Sequence, residues 1–548
     1  MNYIDYTIVG VFLVLTFAVG SYFYKWVKSG DDFYVAGRSI TPFILASVIV
    51  VTNVNLFSFV GQSGVAYSKG IAIIWQTWTG NMGLVFAGLF IVPILRRLRI
   101  RTIPELLGRR YGRGTRTMIA LLWIFRLAGW LGIVLYTGVV AAQAVTGVSS
   151  FTFWVLVIGG IAVVYTALGG MFAIAFTDVI QFLLMLIGAL IVLPMAMHLV
   201  GWWPNLAANL PEGHLTLVRT SGEYDWRFIF AIFFLGLEWA TVDQGLLQRA
   251  FSSDSTKTVS RGLVLAGIIT TPFALLWIIP GLAAHLLHPG LSNPDSAVPT
   301  LLNNLLPHGI LGLVVCGLLS AQLSTIAGNL NGVATMITSD LYESLFNREA
   351  TDKVVLFVAR LMTVLVGAGM LLFAYAVPRM GGAVDAYYTI IAIMDMPLFV
   401  IAIVFGLFWK RATWQGAIAG YVAGFAAGLI GQFALGLGFQ GKTFLTAVVA
   451  LIVVPVVSLV SGSPDQARVA EVWEARRVTE EEKQSKQIYN ILPVTTPGKI
   501  SLWVFFAGAA IFITGLFTGS ANATVGSYLA VAGMLIYFVG GLSRTLTD

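Results

Sequence analysis

A chain of 548 residues that is 58% hydrophobic and 10% charged departs from soluble domains, about a quarter of whose residues are charged. Its mean hydropathy of +0.87 reads as an integral, polytopic membrane protein, and a single cysteine, Cys316, excludes an intrachain disulfide framework or a multi-cysteine metal site. The formal charge of +7 does not point to nucleic acid, because the basic residues gather in alternate loops as topology signals.

About fifteen apolar segments are long enough to span a bilayer, near 6–26, 41–66, 71–95, 117–146, 151–170, 174–201, 226–248, 259–287, 307–345, 352–378, 385–409, 415–436, 443–462, 501–519 and 524–543. Met1–Asp5 lacks a basic start and the first segment runs into Lys25 and Lys28, so it reads as a retained span rather than a cleaved signal. The loop 96–116 carries eight arginines, and under this count the other basic loops share its side, which places the N-terminus outside and the C-terminus in the cytoplasm. The one long charged piece, 463–500, reads as a cytoplasmic linker with a short amphipathic helix, too short for a catalytic or signalling domain.

Polar residues at membrane depth mark the candidate chemistry. In 41–66, Thr52-Asn53-Val54-Asn55 interrupts an apolar run, followed by Ser58 and Gln62. A helix broken there frees backbone carbonyls for a cation; an unbroken one packs its amides on neighbours. Trp75-Gln76-Thr77-Trp78 suits stacking of a sugar ring, or anchors at a membrane surface. Arg126, Asp178 and Gln181 are embedded, and Arg126 with Asp178 forms a possible structural pair. In 236–249, Glu238 and Trp239 lie deep, whereas Asp243 reads as a cap or a partner of Arg249. Along 317–342, Ala321, Ser324/Thr325, Gly328, Asn331/Gly332, Thr335 and Thr338/Ser339 recur at steps of three and four, giving one small, hydroxylated face. Hydrocarbon does not reward such a face, so it packs on a helix, lines a water path or holds an ion or solute. Asp395 stands two residues before Pro397, at an expected kink.

Enzyme signatures do not occur. The five histidines show no HExxH spacing, and there is no phosphate-binding GxxxxGK[ST], no GxSxG elbow and no TVGYG ion filter.

Seven motifs in order resemble the sodium:solute symporters, the family of sodium/glucose, sodium/proline and sialic acid carriers: FYVAGRSITPF, VTNVNLFSFVGQSGVAY, AFTDVIQF, DQGLLQRAFSSDS, the loop PGLAAHLLHPGLSNPDSAVPTLLNNLLPHGILGL, QLSTIAGNLNGVATMITSDLY and GLFWKRATWQGAIAG. The resemblance implies an all-α, LeuT-like inverted repeat of five plus five helices, with one extra N-terminal and about four extra C-terminal helices. It divides the chain into 1–40 (first helix and cytoplasmic loop), 41–411 (core, with repeats 41–201 and 226–411), 412–462 (two accessory helices), 463–500 (cytoplasmic linker) and 501–548 (two C-terminal helices).

Carried over by motif, the sodium ligands are the carbonyls of Val51, Val54 and Ala321 and the hydroxyls of Ser324 and Thr325, five hard oxygens that suit a small cation. A second sodium site in some members uses an Asp, matched by Asp178, and two serines that stand here as Ala327 and Gly328, so one sodium per cycle is expected and Asp178 is assigned to the ion-release path. The sugar-carrier pattern is not kept: Ser58 stands for a Gln, Thr77 or Gln76 for a Glu, Gly236 for an Asn, and Trp239 for a gating Tyr. Asn55, Ser58, Gln76, Trp78, Glu238, Trp239 and Asp395 are the solute-binding candidates.

The expected function is therefore sodium-coupled symport of a small polar organic solute, a sugar first, by alternating access; the chain is not expected to be an enzyme. The alternatives are an organic acid or amino acid as solute, with Arg126 as the one embedded arginine for a carboxylate; coupling to protons through Asp178, Glu238 or Asp395; and a non-transporting membrane sensor or structural protein. The expected partners are the solute, sodium and membrane lipid, and no nucleic acid.

Overall fold

Backbone at membrane depth has no water to bond, so apolar segments fold as helices that satisfy their own N–H and C=O groups. The computed structural model describes residues 1–547 apart from 23–24, 26, 36–40, 54–55, 348, 381–382 and 486. Among the described residues the only β pairing is one isolated bridge, Arg219 with Asp225.

Eleven described helices are long and apolar enough to cross a membrane, or thirteen when two bent pairs are each taken as one span, against the fifteen expected. The difference falls at 6–26 and 41–66. In α1 (Tyr3–Tyr22) the apolar stretch is the short Tyr3–Ala18. The described part of α2 is Pro42–Asn53, and beyond residues 54–55 come a wide-turn helix, Phe57–Gln62, and α3 (Ser63–Lys69).

The chain then runs through α4 (Ile74–Phe86, extended to Arg97 by a wide turn), α5 (Ile103–Tyr111), α6 (Arg113–Thr146) and α7 (Gly160–Val200). α7 is two helices joined at Gly170, whose φ of 51° and ψ of −148° glycine adopts without strain. α8 (Trp226–Val242) and α9 (Gln244–Phe251) meet at a 45° bend. There Asp243 leaves the helical region and its carboxylate accepts from Leu246 N (2.9 Å), capping α9, the bland role expected for it. α10 (Thr256–Phe273), α11 (Leu275–Leu287), α12 (Ile310–Thr335), α13 (Asp352–Ala374) and α14 (Ala383–Phe399, containing Pro397) complete the inner part. α15 (Trp414–Phe433), α16 (Phe439–Val460), the linker helix α17 (Gln466–Glu474), α18 (Thr496–Gly519) and α19 (Ala523–Thr547) follow.

Hydrocarbon supplies little drive for helix association, so packing depends on small residues that let backbones approach. α7 lies along α12, and α2 lies against both α10 and α12. α18 and α19 pack backbone to backbone through Gly508, Gly515, Gly526 and Gly533. At the far end of α12, Asp5 of α1 accepts from Gly309 N (2.7 Å) and Gly312 N (3.0 Å), satisfying donors that the first turn leaves free.

α4 and α8 cross where Gly83 faces Gly236. A Cβ on Gly83 would collide with the Gly236 carbonyl, and one on Gly236 would lie 2.5 Å from the Thr79 carbonyl oxygen. We expect Gly83→Ala to cost ~1–3 kcal/mol by overpacking and to lower the melting temperature of the purified protein, measured by intrinsic fluorescence. An unchanged melting temperature refutes the close crossing.

Candidate functional site

α12 is buried nearly throughout because its small hydroxylated face is covered by α7, α9, α2 and α6. Ser324 is 0% and Thr325 2% exposed, so neither hydroxyl faces lipid. Thr325 Oγ1 donates to the Ala321 carbonyl (3.0 Å), which leaves its own lone pairs to accept from a donor or face a cation. Val51 lies in α2, which packs against α12; Val54 and Asn55 lie outside the described residues.

Beside these hydroxyls stands Arg249 of α9, fully buried. Its Nη2 donates to the Ser324 carbonyl (3.0 Å), to Ser324 Oγ (3.3 Å) and to Asp178 Oδ2 (3.3 Å), and its Nη1 donates to the Gly245 carbonyl (3.1 Å). Its head also lies against Gly328, where a Cβ would collide with Nη1. Asp178 and Gly328, two positions of the second-sodium pattern, therefore border space filled by a guanidinium. The expected Arg126–Asp178 pairing is corrected: Asp178 pairs with Arg249, and Arg126 with another partner.

That partner is Asp395. Arg126 Nε lies 3.0 and 3.1 Å from the two carboxylate oxygens, Nη2 donates to Oδ2, and Nη1 lies 3.8 Å from Asp243. Asp243 thus faces Arg126 rather than Arg249. The pair is buried, where isolated charges are too costly to persist. Glu238 is 2% exposed, and its Oε1 has no hydrogen-bond partner among the described residues.

A cavity of about 90 Å³ opens between these groups. Ser58, Gln76 and Trp239 of the expected solute residues line it, with Thr325, Asn329, Arg126 and Asp243. Phe57, Trp130 and Tyr387 form an aromatic wall, with ring centroids 4.9–5.7 Å apart. Gln76 Oε1 accepts from Tyr388 OH (2.8 Å), and Gln62 Oε1 accepts from Thr77 (3.0 Å) and Trp277 (2.8 Å), so each amide keeps its Nε2 donors. Arg126 Nη1 and Asn329 Oδ1 are buried without a hydrogen-bond partner among the described residues.

Three expected solute residues do not line this cavity. Trp78 donates Nε1 to the Thr271 carbonyl (3.0 Å) and packs edge-on against Trp75. Asp395 is paired with Arg126, and Glu238 is buried outside the lining. Gln62, Asn329, Trp130 and Tyr387 were not singled out by spacing; Asn329 and Gln62 each stood inside a stretch already marked as polar at membrane depth.

The fold superposes with a TM-score of 0.78 on the substrate-bound outward-open state of a Na+-coupled sialic acid symporter, at 21% identity over 85% of this chain and 99% of that one. A nucleobase–cation symport-1 family transporter in a closed conformation matches with a TM-score of 0.55 and 14% identity over 84% and 98%. The architecture is an all-α, LeuT-like fold. In sequence, a sodium/glucose cotransporter of Vibrio parahaemolyticus is 26% identical over 85% of this chain and 92% of its own length, and sodium/glucose cotransporter 1 of Oryctolagus cuniculus 24% identical over 88% and 82%. The profile of the Sodium:solute symporter family matches residues 33–424, and the chain belongs to that family. It is a multi-pass, sodium-coupled symporter and not an enzyme.

Removing Arg249 strands Asp178 in the interior, and Arg249→Met is expected to cost ~3–5 kcal/mol in thermal unfolding. Gly328→Ala is expected to cost ~1–3 kcal/mol because the methyl displaces the guanidinium. The double variant should then cost less than the sum of the two, since without the guanidinium the methyl has space; strict additivity refutes the contact.

Proposed function

We propose that this chain couples the inward movement of one sodium ion to that of a small, neutral, polyhydroxylated solute, a sugar first, by alternating access in the cell membrane. The observation that carries the reading is that the hydroxyls assigned to the ion and residues lining the cavity lie on the same helix, α12. Ser324 and Thr325 offer hydroxyls to the ion, while Thr325 and Asn329 line the solute cavity. Binding at one place thereby alters the wall of the other, which is how a sodium gradient does work on a solute. Each sodium contributes about 2.3 kcal/mol per 100 mV, before any concentration term.

The ion is held in this reading by the carbonyls of Val51, Val54 and Ala321 and by the two hydroxyls, all neutral. One ion per cycle follows in this reading because the space beside Asp178 and Gly328 is taken by the buried Arg249 guanidinium. Within the repeats 41–201 and 226–411, Asp178 lies in the first and Arg249 in the second, so the pair ties the two halves together. Residues 412–462 and 501–548 stand as accessory helices, with 463–500 and the C-terminus placed in the cytoplasm by the charge bias of the loops.

A hydroxylated solute is favoured by the mixture of donors and acceptors in the cavity and by the aromatic wall. The relatives named as sodium/glucose cotransporters support the same class. An organic acid is the second reading, favoured by Arg126 Nη1, which has no hydrogen-bond partner among the described residues, and by the sialic acid symporter's fold. Against it, the Arg126 charge is already met by Asp395 and Asp243. The cavity is smaller than the ~300–1,000 Å³ of common ligand pockets, so solute entry accompanies movement of its walls.

Thermal-shift screening of the purified protein against sugars, amino acids and carboxylates, with sodium or choline, should yield a stabilising sugar only in sodium. A carboxylate hit replaces the sugar reading, and equal shifts in choline remove sodium coupling. In liposomes, uptake of that solute should be lost in Ser324→Ala/Thr325→Ala, and reversal potentials should give one sodium per solute. Sodium-dependent uptake by the double variant overturns the ion site, and a ratio of two overturns the single-ion count.

A further inference from the structure

A large cavity lies apart from the one lined by Thr325 and Asn329. It measures about 600 Å³ and sits between α4, α18 and the 463–500 linker. Phe86, Phe90 and Ile94, spaced by four along α4 and its extension, form one wall, and Leu502 and Phe506 of α18, again spaced by four, form another. The third wall is linker, Arg476–Val478 on one side and Asn490–Leu492 on the other.

These linker walls are fixed to the helices, which keeps them from collapsing inward. Arg97, at the end of the α4 extension, donates to the Arg476 carbonyl (2.9 Å) and to both Glu482 oxygens (3.0 Å each). Arg544 of α19, fully buried, donates to the Asn490 carbonyl, and Tyr489 OH donates to the Leu89 carbonyl (3.0 Å). The rim is apolar: Phe408, Leu492 and Phe506 are exposed, as is the neighbouring Trp503 of α18.

The polar end of the cavity is cationic. Arg476 lies on the Trp473 ring (3.6 Å from its centroid) and donates to the Leu407 carbonyl, and Arg477 beside it is exposed. Among the described residues no carboxylate lines the cavity. Partial burial pushes the Arg476 pKa below its ordinary value, with no acidic neighbour opposing the shift. A pocket lined by phenylalanines, opening past an aromatic rim and ending in two arginines, matches an acyl chain joined to a phosphate. It lies beside the start of the arginine-rich loop 96–116, whose Arg97 bonds to the linker.

We propose that this cavity binds one anionic glycerophospholipid, its chain against Phe90 and Phe506 and its phosphate at Arg476 and Arg477. The lipid would bridge α4, which the solute cavity also uses, to the C-terminal pair. The proposal does not depend on the transport reading, because its test needs neither sodium nor solute.

Native mass spectrometry of the purified full chain, titrated with dioleoylphosphatidylglycerol or dioleoylphosphatidylcholine, tests it. Wild type should retain one phosphatidylglycerol in preference to phosphatidylcholine. Arg477→Gln, at an exposed position that tolerates substitution, should weaken that retention about fivefold. Arg477→Lys should keep it. Ile491→Trp, which fills the apolar end, should abolish it while the variant still elutes as a single species with wild-type secondary structure. Equal retention of the two lipids by wild type overturns the proposal, as does phosphatidylglycerol binding that either Arg477→Gln or Ile491→Trp leaves unchanged.

Discussion

Charges in this protein sit where a bilayer gives no water to hold them, and each buried cation is bound to something. Arg126 meets Asp395 and Asp243, and Arg249 meets Asp178, the Ser324 carbonyl and the Gly245 carbonyl. Each pair joins segments far apart in sequence. A guanidinium presents donors in a planar fork, so it fixes direction as well as distance. Attraction between oppositely charged groups in a poor dielectric thus does the positioning that apolar contacts, equally satisfied by lipid, cannot do.

The two clusters lie on either side of α12. One bonds to Ser324 from the α9 side, and the other borders the cavity that Thr325 and Asn329 line. The hydroxylated face of α12 was legible as a stripe at steps of three and four because helical geometry makes spacing equivalent to direction. The cap at Asp243 was legible for a similar reason, since capping is local and involves residues two or three positions away.

Long-range pairing was not legible. Arg126 and Asp178 are embedded charges of opposite sign, yet α9 delivers Arg249 to Asp178 and α14 delivers Asp395 to Arg126. Which of several buried charges meet depends on helix crossings, and spacing does not encode those. Trp78 shows the same limit: its helix was rightly marked as polar and aromatic, but the indole turns toward the Thr271 carbonyl while Gln76, two residues earlier, reaches the cavity. The aromatic wall of Phe57, Trp130 and Tyr387 comes from three separate segments and leaves no local signature. The expected span count exceeds the described one at 6–26 and 41–66, where the described helical pieces fall short of a span, because hydropathy measures composition and not helix length.

The carboxylate of Asp5 holds the first turn of α12 through two hydrogen bonds. Ser324 lies twelve residues beyond Gly312, about 18 Å along the helix axis. A rod anchored at one tip and swung by ~10° carries a point that far along it through about 3 Å, roughly a coordination distance. With its tip bonded to the first helix, a small tilt of α12 would suffice to carry Ser324 and Thr325 through that distance.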